Sequence, residues 1–317
     1  MKVRPQAICG AALALLMIGG CATTSAPVDQ IRYFSQAFSA VNTVGQPLLD
    51  DLALAERAQG KAVAVRRAQG QSAQGASACP PAKVPWQLAL DGKSGIINGF
   101  CLPDAGYFAE LGDPPATAQL RGGLHVVERY AEVLSILAEG RNLEQALGQV
   151  EGLGQDVGGL LALAGGAPLA IAPALSALRP LLEHVARQAN AEEARRLILE
   201  GAPRVTALIA ALRESAPAVF GTLVEAPAAR LLQPAAAQGS LSADIVAQVE
   251  ARRLAVSQYV VLLERLQAAW DSTVMAARSP DQGRLATLVA RTAELRTDAE
   301  AVRRGLAALR AGAVPTR

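Results

Sequence analysis

The spacing of apolar residues constrains this chain more than any other feature. Ile31, Phe34, Phe38, Val41, Gly45, Leu48, Leu52 and Ala55 recur in alternating steps of three and four. At 3.6 residues per turn that spacing gathers them on one face of a helix. The pattern predicts a helix from Val28 to about Gln69, kinked or divided at Pro47, which removes a ladder hydrogen bond. A second stripe runs through Leu120, Leu124, Val127, Ala131, Leu134 and Ala138, with Gly140 in a stop position. Asn142, with Gln145 three residues on, caps the next helix. That helix carries Gly148, Gly152, Gly154, Gly158 and Gly159, small residues that would let a neighbouring backbone approach.

Later helices are expected over residues 173–188, then from Asn190 to about Glu214 with a kink near Gly201-Ala202-Pro203, and over 217–233. A long one follows from Ser242 to Arg278, with Val249, Val256, Leu263 and Trp270 seven apart. Ser279-Pro280 with Gln282 starts the last. It repeats Leu285, Leu288, Thr292, Leu295, Ala299, Val302, Leu306 and Leu309 in heptad order, so the final two helices should pair antiparallel at a shallow angle. No repeat of 20 to 50 residues is present, which disfavours a solenoid. The expected fold class is mainly all-α: an irregular multi-helix bundle forming one domain over 28–312, with a tail over 313–317.

The segment 79–115 differs in kind. It is rich in proline and holds Trp86, Phe100, Tyr107 and Phe108 in a chain only 3% aromatic. Trp86, Leu88 and Leu90 alternate before the turn signal Asp91-Gly92, which reads as a short β-hairpin or an irregular loop. Cys79 and Cys101 bracket it. A disulfide between them is the economical reading, and would contribute about 3 kcal/mol in the chain-entropy model; the alternative is two reactive thiols. The four aromatics form either a partner-binding surface or a small core sealing one end of the bundle.

The first 20 residues read as an export signal: Lys2 and Arg4, then an apolar run from Ile8 to Ile18, too short to span a bilayer. Ile18-Gly19-Gly20-Cys21 resembles the lipobox of bacterial lipoproteins. The resemblance implies cleavage before Cys21, a diacylglycerol on its thiol and an acyl group such as palmitate on the new amino terminus, with residues 21–27 as tether. Ala22 rather than Asp after the cysteine implies the outer membrane, and the periplasm as the compartment the domain faces. Several acyl chains suffice for stable anchoring, since each buried methylene contributes about 0.8 kcal/mol. An oxidising compartment also suits the disulfide.

Without Lys2 and Arg4 the chain has 28 basic and 28 acidic residues, and no basic stripe such as a nucleic-acid binder carries. Searches for chemistry end in structural readings. His125 has Glu128 one turn on, and His184 stands beside Glu183, but neither completes a metal motif. Gly92-Lys93-Ser94 lacks the preceding glycine of a phosphate loop, and Gly152–Gly158 is misspaced for a dinucleotide fold. Asp50-Asp51 lies on a helix face and Glu192-Glu193 in a first turn, where acids favour the helix dipole. No cofactor or catalytic set is expected. The uncharged run Val157–Leu178 reads as a buried helical hairpin, with membrane contact or a span as alternatives. The expected role is non-enzymatic binding or scaffolding of another envelope protein. The alternatives are a membrane-active protein using 157–178 and a periplasmic hydrolase without a local motif.

Overall fold

The computed structural model describes residues 26–68, 89–90, 93–94, 104–140, 143–163, 173–174, 176–177, 191–225, 243–279 and 282–312. They form α1 (Ala26–Ala68), β1 (Ala89–Leu90), β2 (Lys93–Ser94), α2 (Ala105–Phe108), α3 (Pro115–Glu139), α4 (Leu143–Leu163), α5 (Ala191–Glu214), α6 (Ala243–Arg278) and α7 (Gln282–Gly312). After a turn at Ser215, α5 continues as a helical segment over 216–225. The fold is all-α. The one extended pairing among the described residues is a two-residue antiparallel ladder, Ala89 opposite Ser94 and Leu90 opposite Lys93.

Helix α1 is the hub. It packs against α3, α6 and α7, while α5 closes the ring between α3 and α6. Contacts fix the directions. Between α1 and α3, Asn42 meets Glu128, Gln46 meets Arg121 and Glu56 meets Thr117, so numbering rises on one as it falls on the other. Gln267 with Thr206 and Arg195 with Ala277 make α5 and α6 antiparallel in the same way. On the C-terminal pair, Arg284 meets Met275, Arg291 meets Ser272 and Asp298 meets Arg265. Thus α1, α3, α5 and α6 form an up-down ring, with α4 packed outside on α3 and α7 outside on α1 and α6.

One layer ties the ring together. Trp270 of α6 lies 4.8 Å from the Phe34 ring of α1 and 6.3 Å, edge-on, from Tyr130 of α3. The Trp270 indole donates to the Ala202 carbonyl (3.3 Å) and the Tyr130 hydroxyl to the Leu197 carbonyl (2.7 Å), both on α5. All three rings are fully buried. Their polar atoms therefore need these partners, and the backbone of α5 supplies them.

One sequence expectation is corrected here. Pro47 does not divide α1, which runs through it without a break. Val44 and Leu48 on either side are core residues, and their burial outweighs one lost ladder bond. Among the described residues, a Cβ at Gly152 of α4 would meet the Arg129 guanidinium at 2.9 Å, and at Gly148, Gly154, Gly158 and Gly159 it would meet nothing within 4 Å. Close approach is seen on α1, where a Cβ on Gly45 would stand 3.0 Å from the Tyr259 ring and one on Gly60 would overlap Tyr107.

Of the uncharged run 157–178, Val157 and Ala174 are buried, and its connection over 164–172 lies outside the described residues. Among the described residues, one helix, 192–225, is long and apolar enough to cross a membrane. Its apolar residues Leu197, Ile198, Val205, Leu208, Ile209 and Leu212 are core positions, so the bundle accounts for them.

Candidate functional site

Two regions gather polar or exposed groups beyond what packing requires. The first is the end of the bundle at which α1 finishes and α3 begins. Here α2 and residues 109–114 run back along α1, pinned at three points. The Tyr107 ring lies on Gly60, where a Cβ would come within 2.3 Å of it. The Arg57 guanidinium donates to the Gly112 carbonyl, at a residue whose φ of +73° favours glycine. The third pin is Glu56.

That carboxylate is 6% exposed and caps α3 from across the bundle. Its oxygens accept from Ala116 N (2.8 Å), Thr117 N (2.9 Å) and the Thr117 hydroxyl (2.9 Å). A helix leaves its first N–H groups without intrahelical partners. In α3, Pro115 has no N–H and Ala118 N bonds to Pro114 O, leaving Ala116 and Thr117. Glu56 takes both and sets a negative charge at the positive end of the helix dipole.

Outward from these pins the surface is apolar. Leu111 is 91% exposed, Leu54 67% and Phe108 49%. The Lys61 ammonium lies 5.8 Å from the centre of the Phe108 ring. Tyr107 is half-buried, and that burial, with Glu56 and Asp104 nearby, raises its hydroxyl pKa above the usual phenol value. Of the aromatics singled out in the sequence, Tyr107 thus seals this end while Phe108 is presented to solvent. Trp86 and Phe100, with Cys21, Cys79, Cys101 and His184, lie outside the described residues. Leu54, Arg57, Lys61, Leu111 and the cap Glu56 escaped sequence reasoning. Two signals were available: Leu54 sits off the buried stripe of α1, and Gly60 interrupts a helix interior.

The second region is an open cleft of about 390 Å³ between α1 and α3. Across its floor Arg121 donates to Gln46, Gln46 to Asn42 (2.6 Å), and Asn42 to Glu128 (3.4 Å). Arg121 also pairs with Asp113 (2.7 Å) and Asp50 (3.0 Å). His125 stands at the rim, its Nδ1 3.6 Å from Glu128 and its Nε2 3.5 Å from Asp156 of α4, and accepts from Arg129 Nε (3.2 Å). Among the described residues no group of three His, Cys, Asp or Glu side chains converges as metal ligands would. Arg121 and Arg129 each face a carboxylate, and the network cross-links α1, α3 and α4. The acid pairs also have structural partners: Asp50 holds Arg121, while Glu192 and Glu193 hold Arg195 and Arg196 one turn on.

Comparison with protein-family models, curated proteins and solved structures finds no match to this chain.

Proposed function

We propose that the chain is an outer-membrane lipoprotein, acylated at Cys21, whose helical bundle faces the periplasm and binds or scaffolds another envelope protein without catalysing a reaction. One observation carries the binding part: Leu54, Phe108 and Leu111 are exposed together around Arg57 and Lys61, at the end of α1 remote from its start. Isolated exposed leucines are ordinary, but several on one face beside a pinned loop are characteristic of contact surfaces. Anchor and surface fit one geometry. Leu54 stands 28 residues beyond Ala26, about 42 Å along the helix at about 1.5 Å per residue, so a chain tethered at Cys21 would hold this end away from its own bilayer.

The test is photo-crosslinking in cells from residue 111, with residue 261 as an exposed control, combined with membrane fractionation. A Cys21→Ala form carrying a cleavable secretory signal serves as the soluble comparison. The proposal expects the wild-type chain in the outer-membrane fraction and one dominant protein adduct from position 111 but not 261. Equal labelling from both positions would refute the docking end. Wild-type protein released as freely as the Cys21→Ala form would refute the anchor.

A further inference from the structure

We infer that His125 is a proton-operated latch that fastens α4 to α3, closing as the imidazole takes up a second proton. Arg129 Nε, His125 Nε2 and Asp156 Oδ2 form a triangle with sides of 3.2, 3.5 and 3.6 Å. In this arrangement Arg129 Nε–H donates to His125 Nε2, which requires that nitrogen to be bare. Asp156 Oδ2, buried at the third corner, then receives no hydrogen bond among the described residues. On the other side of the ring, Nδ1 stands 3.6 Å from Glu128 Oε2. A neutral imidazole has one N–H to offer these two carboxylates, and only the protonated ring can donate to both. A proton on Nε2 also ends its acceptance from Arg129, whose Nε–H is then free to turn to the same Asp156 oxygen.

Charge favours the same change. With the ring neutral the cluster holds one cation, Arg129, against the carboxylates of Glu128 and Asp156, and a proton on His125 balances it. Arg129 opposes that proton from one side, and the two carboxylates favour it from the others. The side chains that α1 presents to the cleft, Asn42 and Gln46, are uncharged, and Arg121, one turn before His125, is taken up by Asp113 and Asp50. From α4 come Asp156 and the neutral Gln149, which accepts from Arg129 Nη1 (2.8 Å) and holds that guanidinium in either state.

Helix α4 is the element such a latch governs. It packs on α3 outside the ring, supplies Leu153 and Val157 to the core, and carries five glycines, which make it a weak helix by itself. With His125 neutral, the apolar contacts and the Arg129–Gln149 bond remain, so α4 loosens without leaving. Imidazoles change charge between about pH 5 and 8. The bonds exist only in the protonated state, so the fastening is complete at the acid end of that range and lost as pH rises through it.

The experiment is amide hydrogen exchange on the full mature chain in its Cys21→Ala form, at about pH 5.5 and about pH 8, expressed as protection over chemical exchange. Protection in α4 should be about fivefold higher at the acid end, with α5 changing little. His125→Gln and Asp156→Asn should each abolish the difference, and His184→Gln should leave it intact. His125 and Asp156 are both partly exposed, and unchanged protection of α5 would show that the variants fold. Nitrogen chemical shifts of the His125 ring at the alkaline end should place its single proton on Nδ1. Protection of α4 that is flat or rises with pH would overturn the latch. A difference that survives His125→Gln would overturn the role of His125, and one that survives Asp156→Asn would overturn the fastening to α4. A ring proton found on Nε2 at the alkaline end would overturn the hydrogen-bond exchange on which the latch depends.

Discussion

Replacing Glu56 by alanine is the most informative single test of how this bundle is held together. The substitution strips the cap from α3 and leaves Ala116 N, Thr117 N and the Thr117 hydroxyl without their acceptor. Thr117 is fully buried, so water cannot replace the carboxylate without entering the space the side chain vacates. A buried donor left unpaired costs about 1–3 kcal/mol, and loss of an N-cap about 0.5–2 kcal/mol. These figures overlap, because the same two amides are counted in both. Partial hydration of the new cavity reduces the total, giving an expected loss of about 3–4 kcal/mol. Glu56→Gln keeps one acceptor but turns an amide N–H toward a donor, and should cost about half as much. The assay is urea unfolding of the Cys21→Ala chain followed by far-ultraviolet circular dichroism, with hydrogen exchange at Ala116 and Thr117. A Thr117→Val cycle would isolate the hydroxyl, with an expected coupling of about 1 kcal/mol. A Glu56→Ala loss below about 0.5 kcal/mol would refute the cap, since a solvated surface carboxylate would behave that way.

The remaining predictions concern other positions. Gly60→Ala should destabilise the wild-type chain, because its Cβ would overlap the Tyr107 ring, yet in a Tyr107→Ala background it should stabilise by about 1 kcal/mol through helix propensity. The same sign in both backgrounds would refute the contact. Gln119 is 1% exposed and neither its amide oxygen nor its nitrogen has a partner among the described residues, so Gln119→Leu should raise stability by about 1–2 kcal/mol in thermal unfolding; a loss of that size would show that the amide is used. Burial raises the phenol pKa of Tyr130 and Tyr259 above the ordinary 10.0, so the fold favours the neutral ring. The stability each contributes is therefore complete below pH 10 and lost as pH rises beyond it. Tyr259→Phe, which removes a hydroxyl with no partner among the described residues, should lessen this alkaline loss without cost at pH 7, whereas Tyr130→Phe should cost about 1 kcal/mol at pH 7 for its bond to Leu197. Tyrosinate absorbance followed with unfolding midpoints from pH 8 to 12 would check the order.

Local pattern and tertiary arrangement each decided a distinct part of this protein. The stripe of α1, the Gly140 stop of α3 with its left-handed φ of +65°, and the Leu288–Thr292–Leu295–Ala299 seam of α7 are all written in the sequence. They are legible because period and burial coincide along one line of each helix. On α3 the same reading found Leu120, Leu124, Val127, Ala131 and Leu134 but not Val126, Tyr130, Val133 and Leu137, which are also buried. That helix lies between α1, α4 and α5, and a stripe pattern cannot report a second covered face. Sequence distance hid the rest. Glu56 caps a helix 60 residues away, and Gly60 is required only because Tyr107 returns to it across a long connection. The aromatic content of 79–115 drew attention to Tyr107 and Phe108, which pack at the end of α1. It could not tell that Tyr107 turns inward and Phe108 outward, nor that Leu54, Arg57 and Lys61 of α1 would share their surface. Periodicity along a chain fixes which face of a helix is apolar. Which neighbour covers that face, and which charges are left uncovered, is settled only when separate helices are brought into register.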